Sequence, residues 1–187
     1  MTKLGIVEEA MIYAAKMHGG QMRKGSHLPY IIHPMETAAI VATMTTSQEV
    51  IAAAMLHDIL EDTSATVEEI EALFGPEVCH LVSSESEDKR PNLPKSETWL
   101  IRKEETLNRL KNESESAMMI ALADKLSNLR SLQRDLPVLG EGLWQRFNQK
   151  DKNMHAWYYR SIAQCLAPLS GYEAYKEYVY LLDEVFE

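Results

Sequence analysis

The sequence predicts an all-α protein, a single domain built from about eight to nine helices. Three observations carry that expectation. Apolar residues recur at close to a 3.6-residue period along most of the chain. The segments so patterned are bounded by residues that start helices, such as Ser47, Thr66 and Pro76, or stop them, such as Gly19-Gly20. No convincing run of strand-type alternation and no internal repeat stands out.

In order along the chain, Leu4 to His18 carries apolar residues at Ile6, Val7, Ala10, Met11, Ala14, Ala15 and Met17, and is expected to stop at Gly19-Gly20. His18 to Pro34 is rich in Gly, Pro and polar residues and reads as a loop. Pro34 suits the start of a helix from Met35 to Met44, which leaves His33 on an extended residue at a rigid junction. Ser47 is placed to cap the next helix, with Glu49 in its first turn. Thr66-Val67-Glu68-Glu69 has capping-box spacing and opens a short helix to Phe74. Gly75-Pro76 ends that helix and starts another, to about Ser84.

Residues 85–96 have almost no apolar content and predict a long, exposed, mobile loop within the domain. Helix returns from Glu97 to Lys111, with Trp99, Leu100, Leu107 and Leu110 as core contacts and Arg102-Lys103 on another side. From Ser116 to Arg134, Leu122, Leu126, Leu129 and Leu132 form one stripe, and Ala121, Asp124, Lys125 and Asn128 a second. Leu136 to Lys152, with Pro137, Gly140 and Gly142, reads as a loop. Asn153 to Leu169 and Tyr172 to Phe186 complete the helices.

Composition narrows the function classes. At 187 residues the chain has the size of one domain, so 1–187 is read as a single unit. No apolar run approaches the roughly 20 residues of a membrane helix, and the N-terminus turns acidic too soon for a signal peptide. Two cysteines, Cys79 and Cys165, make no disulfide framework, which points to a reducing cytoplasm. The formal charge of −9 argues against a nucleic-acid polymer as partner. A small anionic substrate is compatible with it, provided that a metal or clustered Arg and Lys concentrate positive charge locally.

The most informative stretch is Met55-Leu56-His57-Asp58-Ile59-Leu60-Glu61-Asp62. Four ionisable side chains follow directly on the apolar run Val50 to Leu56. A buried charge is costly enough to be neutralised, paired or given a metal. On a continuous helix His57 and Glu61 would stack one turn apart, roughly 6 Å along the axis, as would Asp58 and Asp62. Asp124 likewise emerges from the apolar run Met118 to Ala123, and His33 stands beside Pro34. Two imidazoles and two carboxylates suit a mid-series divalent ion with positions left for water. Such an ion lowers the pKa of a water that it holds, so hydroxide becomes available near neutral pH. Glu61 is then placed to orient or deprotonate that water, with Asp62 assisting.

The order His33, His57-Asp58, Asp124 resembles the H…HD…D pattern of the HD-domain metal phosphohydrolases. Five stretches look like successive motifs of the RelA/SpoT-type alarmone hydrolase domain: His18 to Lys24, Pro29 to Pro34, Leu56 to Thr63, Phe74 to Val78 and Ala123 to Leu129. Trp99 to Glu104 and Trp157-Tyr158-Tyr159 are similar to the stand-alone small alarmone hydrolases. The resemblance covers roughly residues 5 to 170. It implies an HD-domain helical bundle that removes the 3′-pyrophosphate of ppGpp or pppGpp, with Mn²⁺ as the usual ion. By motif position His33, His57, Asp58 and Asp124 would be the ligands, and Glu61 and Asp62 would handle the attacking water. Arg23, Lys24 and Asn128 would contact phosphate and ribose, with Tyr158 beside the nucleotide.

Arg23, Lys24 and the ion would then attract the polyanion and stabilise charge on the pyrophosphate. The chain leaves no room for a synthetase domain, so hydrolysis alone is expected, with no obligate protein partner and no membrane. The rival readings are an HD-type phosphatase acting on NADPH or nucleoside monophosphates, and a non-catalytic alarmone-binding protein. The Glu61-Asp62 pair argues against the last. His27 and His155 are expected to be exposed and His80 structural, with His18 open between loop anchor and substrate neighbour. Spacing assigns no role to Arg146, Lys150 or Lys152.

Overall fold

The computed structural model describes residues 3–86, 90 and 95–187, with the side chains of 95–97 left aside. Nine α-helices lie among them: α1 (Ile6–Met17), α2 (Ile32–Val41), α3 (Gln48–Leu56), α4 (Ile59–Asp62), α5 (Val67–Glu85), α6 (Lys95–Leu110), α7 (Glu115–Leu139), α8 (Lys152–Cys165) and α9 (Glu173–Phe186). Two 3-10 turns, Gly140–Arg146 and Ala167–Leu169, flank α8. The only β pairing among the described residues is an isolated bridge between Met22 and Pro29. The all-α expectation holds. The loop expected at 85–96 falls largely outside the described residues, and no described helix is long and apolar enough to cross a membrane.

The core is built around α7, which packs against α2, α3, α5 and α9. Its apolar run, Ile120, Leu122, Ala123, Leu126 and Leu129, is wholly buried or nearly so. Full burial of a leucine or isoleucine side chain stabilises by about 1.5–3 kcal/mol. The run Ala52-Ala53-Ala54 in α3 has no exposed surface, and its small side chains let α1 and α2 approach the same helix. Hydroxyl caps start three helices, at Ser47 and Thr66 as expected from the sequence and at Ser114, two residues before the expected start of its helix. Ser47 accepts from the Val50 amide, Thr66 from Glu69 and Ser114 from Ala117.

The structure corrects several boundaries. His33 is not extended: α2 begins at Ile32, so His33 and Pro34 both lie in its first turn. Proline is tolerated there because the first four amides of a helix have no intrahelical acceptor. The helix carrying His57 is also interrupted, since α3 ends at Leu56 and α4 starts at Ile59, with Asp58 at φ −94°, ψ 0° between them. His57 and Glu61 therefore do not stack on one continuous helix. Helix α7 runs on through Pro137 to Leu139 and stops at Gly140, whose φ of 53° suits glycine. The loop expected over 136–152 is thus helix to Leu139 and 3-10 turn to Arg146, with α8 already beginning at Lys152. Gly75, at φ 83° and ψ 170°, kinks α5 where two helices were expected. Leu100 is exposed rather than packed, and His155 is buried among Trp99, Trp144 and Phe147.

A candidate metal centre beneath a two-lobed cleft

Three of the four predicted ligands come together, and the fourth closes on them. Nitrogen and oxygen donors of His33, His57 and Asp58 all lie within 4.8 Å of one another. His57 Nε2 stands 3.0 Å from Asp58 Oδ2, and His33 Nε2 3.6 Å from the same oxygen. Asp124 Oδ1 approaches from α7, 3.1 Å from His33 Nε2 and 3.9 Å from His57 Nε2. The Asp58 carboxylate, at the break between α3 and α4, lies against both rings.

Hydrogen bonds determine which ring nitrogen faces the centre. His57 Nδ1–H donates to the Ala54 carbonyl at 2.9 Å, which leaves the Nε2 lone pair pointing inward. That nitrogen is buried and has no hydrogen-bond partner among the described residues. His33 Nδ1 is bonded to Ser127 Oγ at 2.8 Å, so its Nε2 also faces the centre. A buried ring nitrogen without a proton partner, facing two carboxylates, is a donor set that fits a divalent cation of the middle transition series. His33, His57, Asp58 and Asp124 could hold it.

Without a cation the site is electrostatically tense. Burial keeps His33 below the usual histidine range. Burial acts in the same sense on His57, but the Asp58 carboxylate outweighs it and pushes that imidazole up to about 9. Burial tends to raise Asp58 and Asp124, yet His57 holds the first below the ordinary carboxylate range and Lys125 the second. Tyr30 donates its hydroxyl to Asp58 Oδ2 and, desolvated beside that carboxylate, stays protonated far above its usual range. Sequence reasoning passed over Tyr30, whose only signal was its place three residues before His33.

Above the centre lie two connected lobes. The metal-side lobe, about 360 Å³, is lined by the four candidate ligands and Glu61, and by Arg102, Lys103, Arg109 and Lys125. The second, about 610 Å³, is lined among others by Asp62, Ser131, Arg134, Arg146, Phe147 and Tyr159. Arg23, Lys24, Tyr30 and Asn128 line both and form the waist between them. Arg23 donates to Asn128 Oδ1 at 3.0 Å, and Asn128 Nδ2 to Asp124 Oδ1 at 2.6 Å, so the waist is tied to the centre. The loop carrying Arg23 and Lys24 is shaped by the Met22–Pro29 bridge and by Gly25 at φ 70°. A Cβ on Gly25 would come within 2.4 Å of the Arg146 side chain, which lies across it.

Glu61 and Asp62 thus face different lobes. Tyr158 is buried behind the cleft, with Lys103 Nζ 4.9 Å above its ring and Trp99 6.1 Å away, while its neighbour Tyr159 lines the larger lobe. His18 is buried against the Tyr30 ring, 4.9 Å between centroids, and bonds Gln21. Arg146 reaches the larger lobe and pairs with Asp135, whereas Lys150 donates to the Gln145 carbonyl. The sequence set Arg102-Lys103 on their own side of α6 without joining them to the site, although Arg102, Thr106 and Arg109 recur at helical spacing beside the buried Leu110 and line the same lobe.

Comparison with known proteins gives a consistent picture. The profile of the HD domain family matches residues 10–149. The chain is 42% identical over 133 residues to the Drosophila melanogaster guanosine-3′,5′-bis(diphosphate) 3′-pyrophosphohydrolase MESH1, covering 70% of this chain and 71% of that protein. It is 34% identical over 132 residues to a Myxococcus xanthus GTP pyrophosphokinase, but spans 17% of the length of that longer protein. A solved structure described as a metazoan ortholog of SpoT that hydrolyzes ppGpp superposes with a TM-score of 0.74 at 32% identity, over all of this chain and 96% of that one.

Proposed function

The chain belongs to the HD-domain family, and we propose that within it this protein is a metal-dependent hydrolase of guanosine alarmones, converting ppGpp or pppGpp to GDP or GTP and pyrophosphate. The observation that carries this reading is the pairing of an inward-facing His57 Nε2, set against the Asp58 and Asp124 carboxylates, with a cation-lined cleft in a protein of net charge −9. Six basic side chains line the metal-side lobe, Arg23, Lys24, Arg102, Lys103, Arg109 and Lys125. A substrate with phosphates at both ends of its ribose suits two lobes joined at a basic waist. We read residues 1–187 as one HD-type domain and place it in the cytoplasm, in keeping with its two free thiols.

His33, His57, Asp58 and Asp124 are assigned as ligands of one divalent ion, Mn²⁺ in this reading. That ion supplies Lewis-acid activation of water and charge neutralisation at phosphate. Glu61, lining the same lobe, accepts the proton of the attacking water, and Asp62 assists from the adjoining lobe. The water adds to the phosphorus on the ribose 3′ oxygen, the P–O3′ bond breaks, and the 3′ oxygen takes up a proton. Arg23 and Lys24 hold phosphate at the waist, with Asn128 positioning both Arg23 and Asp124. Tyr158 bounds the nucleotide region indirectly, by supporting Lys103 from behind.

The test is hydrolysis of ppGpp by the full chain, stripped of metal and then supplied with Mn²⁺, with product identification. GDP and pyrophosphate are expected, and only with the ion present. Release of orthophosphate from NADPH with ppGpp untouched would overturn the substrate assignment. Binding of ppGpp without turnover at saturating Mn²⁺ would overturn the enzymatic one.

A further inference from the structure

The two histidines of the centre are held in different ways. His57 Nδ1 is fixed by the Ala54 carbonyl of its own helix, three residues back. His33 depends on side chains from elsewhere. Its Nδ1 meets Ser127 Oγ at 2.8 Å; Ser127 Oγ meets Glu36 Oε2 at 2.8 Å; Glu36 Oε1 meets Arg130 at 2.9 Å. Arg130 then makes a two-pronged pair with Glu177 on α9, both contacts 2.7 Å. The chain of contacts runs from a buried ring on α2 through α7 to the C-terminal helix.

Only one proton order satisfies it. The guanidinium of Arg130 only donates, and Glu36 Oε1 accepts from it. The other carboxylate oxygen, Oε2, accepts the Ser127 hydroxyl proton. The Ser127 oxygen lone pair then accepts from His33 Nδ1–H, which leaves His33 Nε2 as the lone pair facing the centre. Were Ser127 to donate to His33 Nδ1 instead, the neutral ring would carry its proton on Nε2, the nitrogen that must act as donor atom to a cation.

We propose that Ser127, Glu36, Arg130 and Glu177 form a positioning relay that sets the tautomer and ring orientation of His33, and that docking of α9 thereby tunes the affinity of the centre for its divalent ion. The inference rests on the metal-centre reading above. None of the four is a ligand or touches substrate; they act through His33. The burial gradient fits this role. Ser127 is 1% exposed and His33 3%, whereas the Glu36, Arg130 and Glu177 side chains are about a third exposed. The outer pairs are worth little as isolated surface ion pairs. Their leverage comes from holding a buried hydroxyl in one orientation. Partners of this kind behind ligating histidines typically account for 10–100-fold in metal affinity.

The experiment measures Mn²⁺ binding to the metal-stripped full chain, by the electron paramagnetic resonance signal of free Mn²⁺, beside the melting temperature in chelator. Ser127→Ala and Glu36→Ala are expected to weaken Mn²⁺ about tenfold or more. Glu36→Gln, which keeps an acceptor oxygen for Ser127, should recover part of that loss. Glu177→Ala should weaken binding about twofold to threefold. At saturating Mn²⁺ the KM for ppGpp should stay at the parent value, because no substrate contact is removed. Mn²⁺ affinity within twofold of the parent in both Ser127→Ala and Glu36→Ala overturns the relay, as does an affinity loss that merely follows a fall in melting temperature. If Ser127→Ala does not fold, Glu36→Ala and Glu36→Gln at the surface decide alone. A parent chain that binds no divalent ion refutes the metal centre itself. A parent that binds Mn²⁺ with unaltered variants refutes only the relay.

Discussion

Glu85, the last residue of α5, lines the metal-side lobe and offers a quantitative test of the site's electrostatics. Burial raises its carboxyl from 4.5 to about 7, against the pull of Lys125 and Arg109 and with Asp124 adding repulsion. Its place at a helix C-terminus disfavours an anion further. Below about pH 4.5 the folded and unfolded chains are both protonated at this position, and Glu85 leaves stability unaffected. Between 4.5 and about 7 the unfolded chain releases a proton that the folded chain keeps, so stability falls as pH rises. The loss is complete above about 7. At about 1.4 kcal/mol per pH unit across that window it reaches about 3.5 kcal/mol. Glu85→Gln removes the titrating group while keeping the shape. In the metal-free chain the variant should match the parent at pH 4.5 and exceed it by up to about 3.5 kcal/mol at pH 8. That corresponds to about 7–14 °C in melting temperature for a chain of this size. Thermal melts at both pH values in chelator provide the assay. A stability difference that stays constant from pH 4.5 to pH 8 would refute the reasoning, because it would show that Glu85 ionises alike in both states.

Three further outcomes follow from the centre and its cleft. Asp58→Asn and Asp124→Asn should each abolish Mn²⁺ binding and turnover together, since a neutral amide replaces an anionic donor; equilibrium dialysis with Mn²⁺ beside the ppGpp assay checks both. Glu61→Gln should bind Mn²⁺ as the parent does yet lose about 10²–10⁴-fold in kcat, the usual contribution of a general base; near-parent turnover would remove Glu61 from its assigned role. Arg23→Ala should raise KM with a smaller change in kcat and flatten the dependence of KM on salt, because one screened charge contact is lost, and an unaltered KM would mean that the waist holds no phosphate.

The α6 and α7 walls explain how an acidic protein can admit a polyanion. Lys125 follows a candidate ligand directly and pairs with its carboxylate, and Arg102, Lys103 and Arg109 face it from α6. Positive charge concentrated against low-dielectric walls outweighs the diffuse negative field at short range.

By itself the sequence determined that the chain is helical and which side chains are costly enough to need a shared partner. His57-Asp58 and Asp124 end apolar runs, and the period and caps at Ser47 and Thr66 are local signals written within a few residues. Only the tertiary structure decided where those side chains point. Asp58, at the break between α3 and α4, lies against both histidines, and the first-turn position of Pro34 puts His33 on a helix. Packing of α6 and α7 creates the cationic wall, and Tyr30, Ser127 and Glu36 join the site from 28 to 94 residues away in sequence from the residues they bond. A caps-and-period reading reaches one turn along the chain, whereas a metal centre is fixed by bonds between elements whose mutual orientation depends on how the whole apolar core closes.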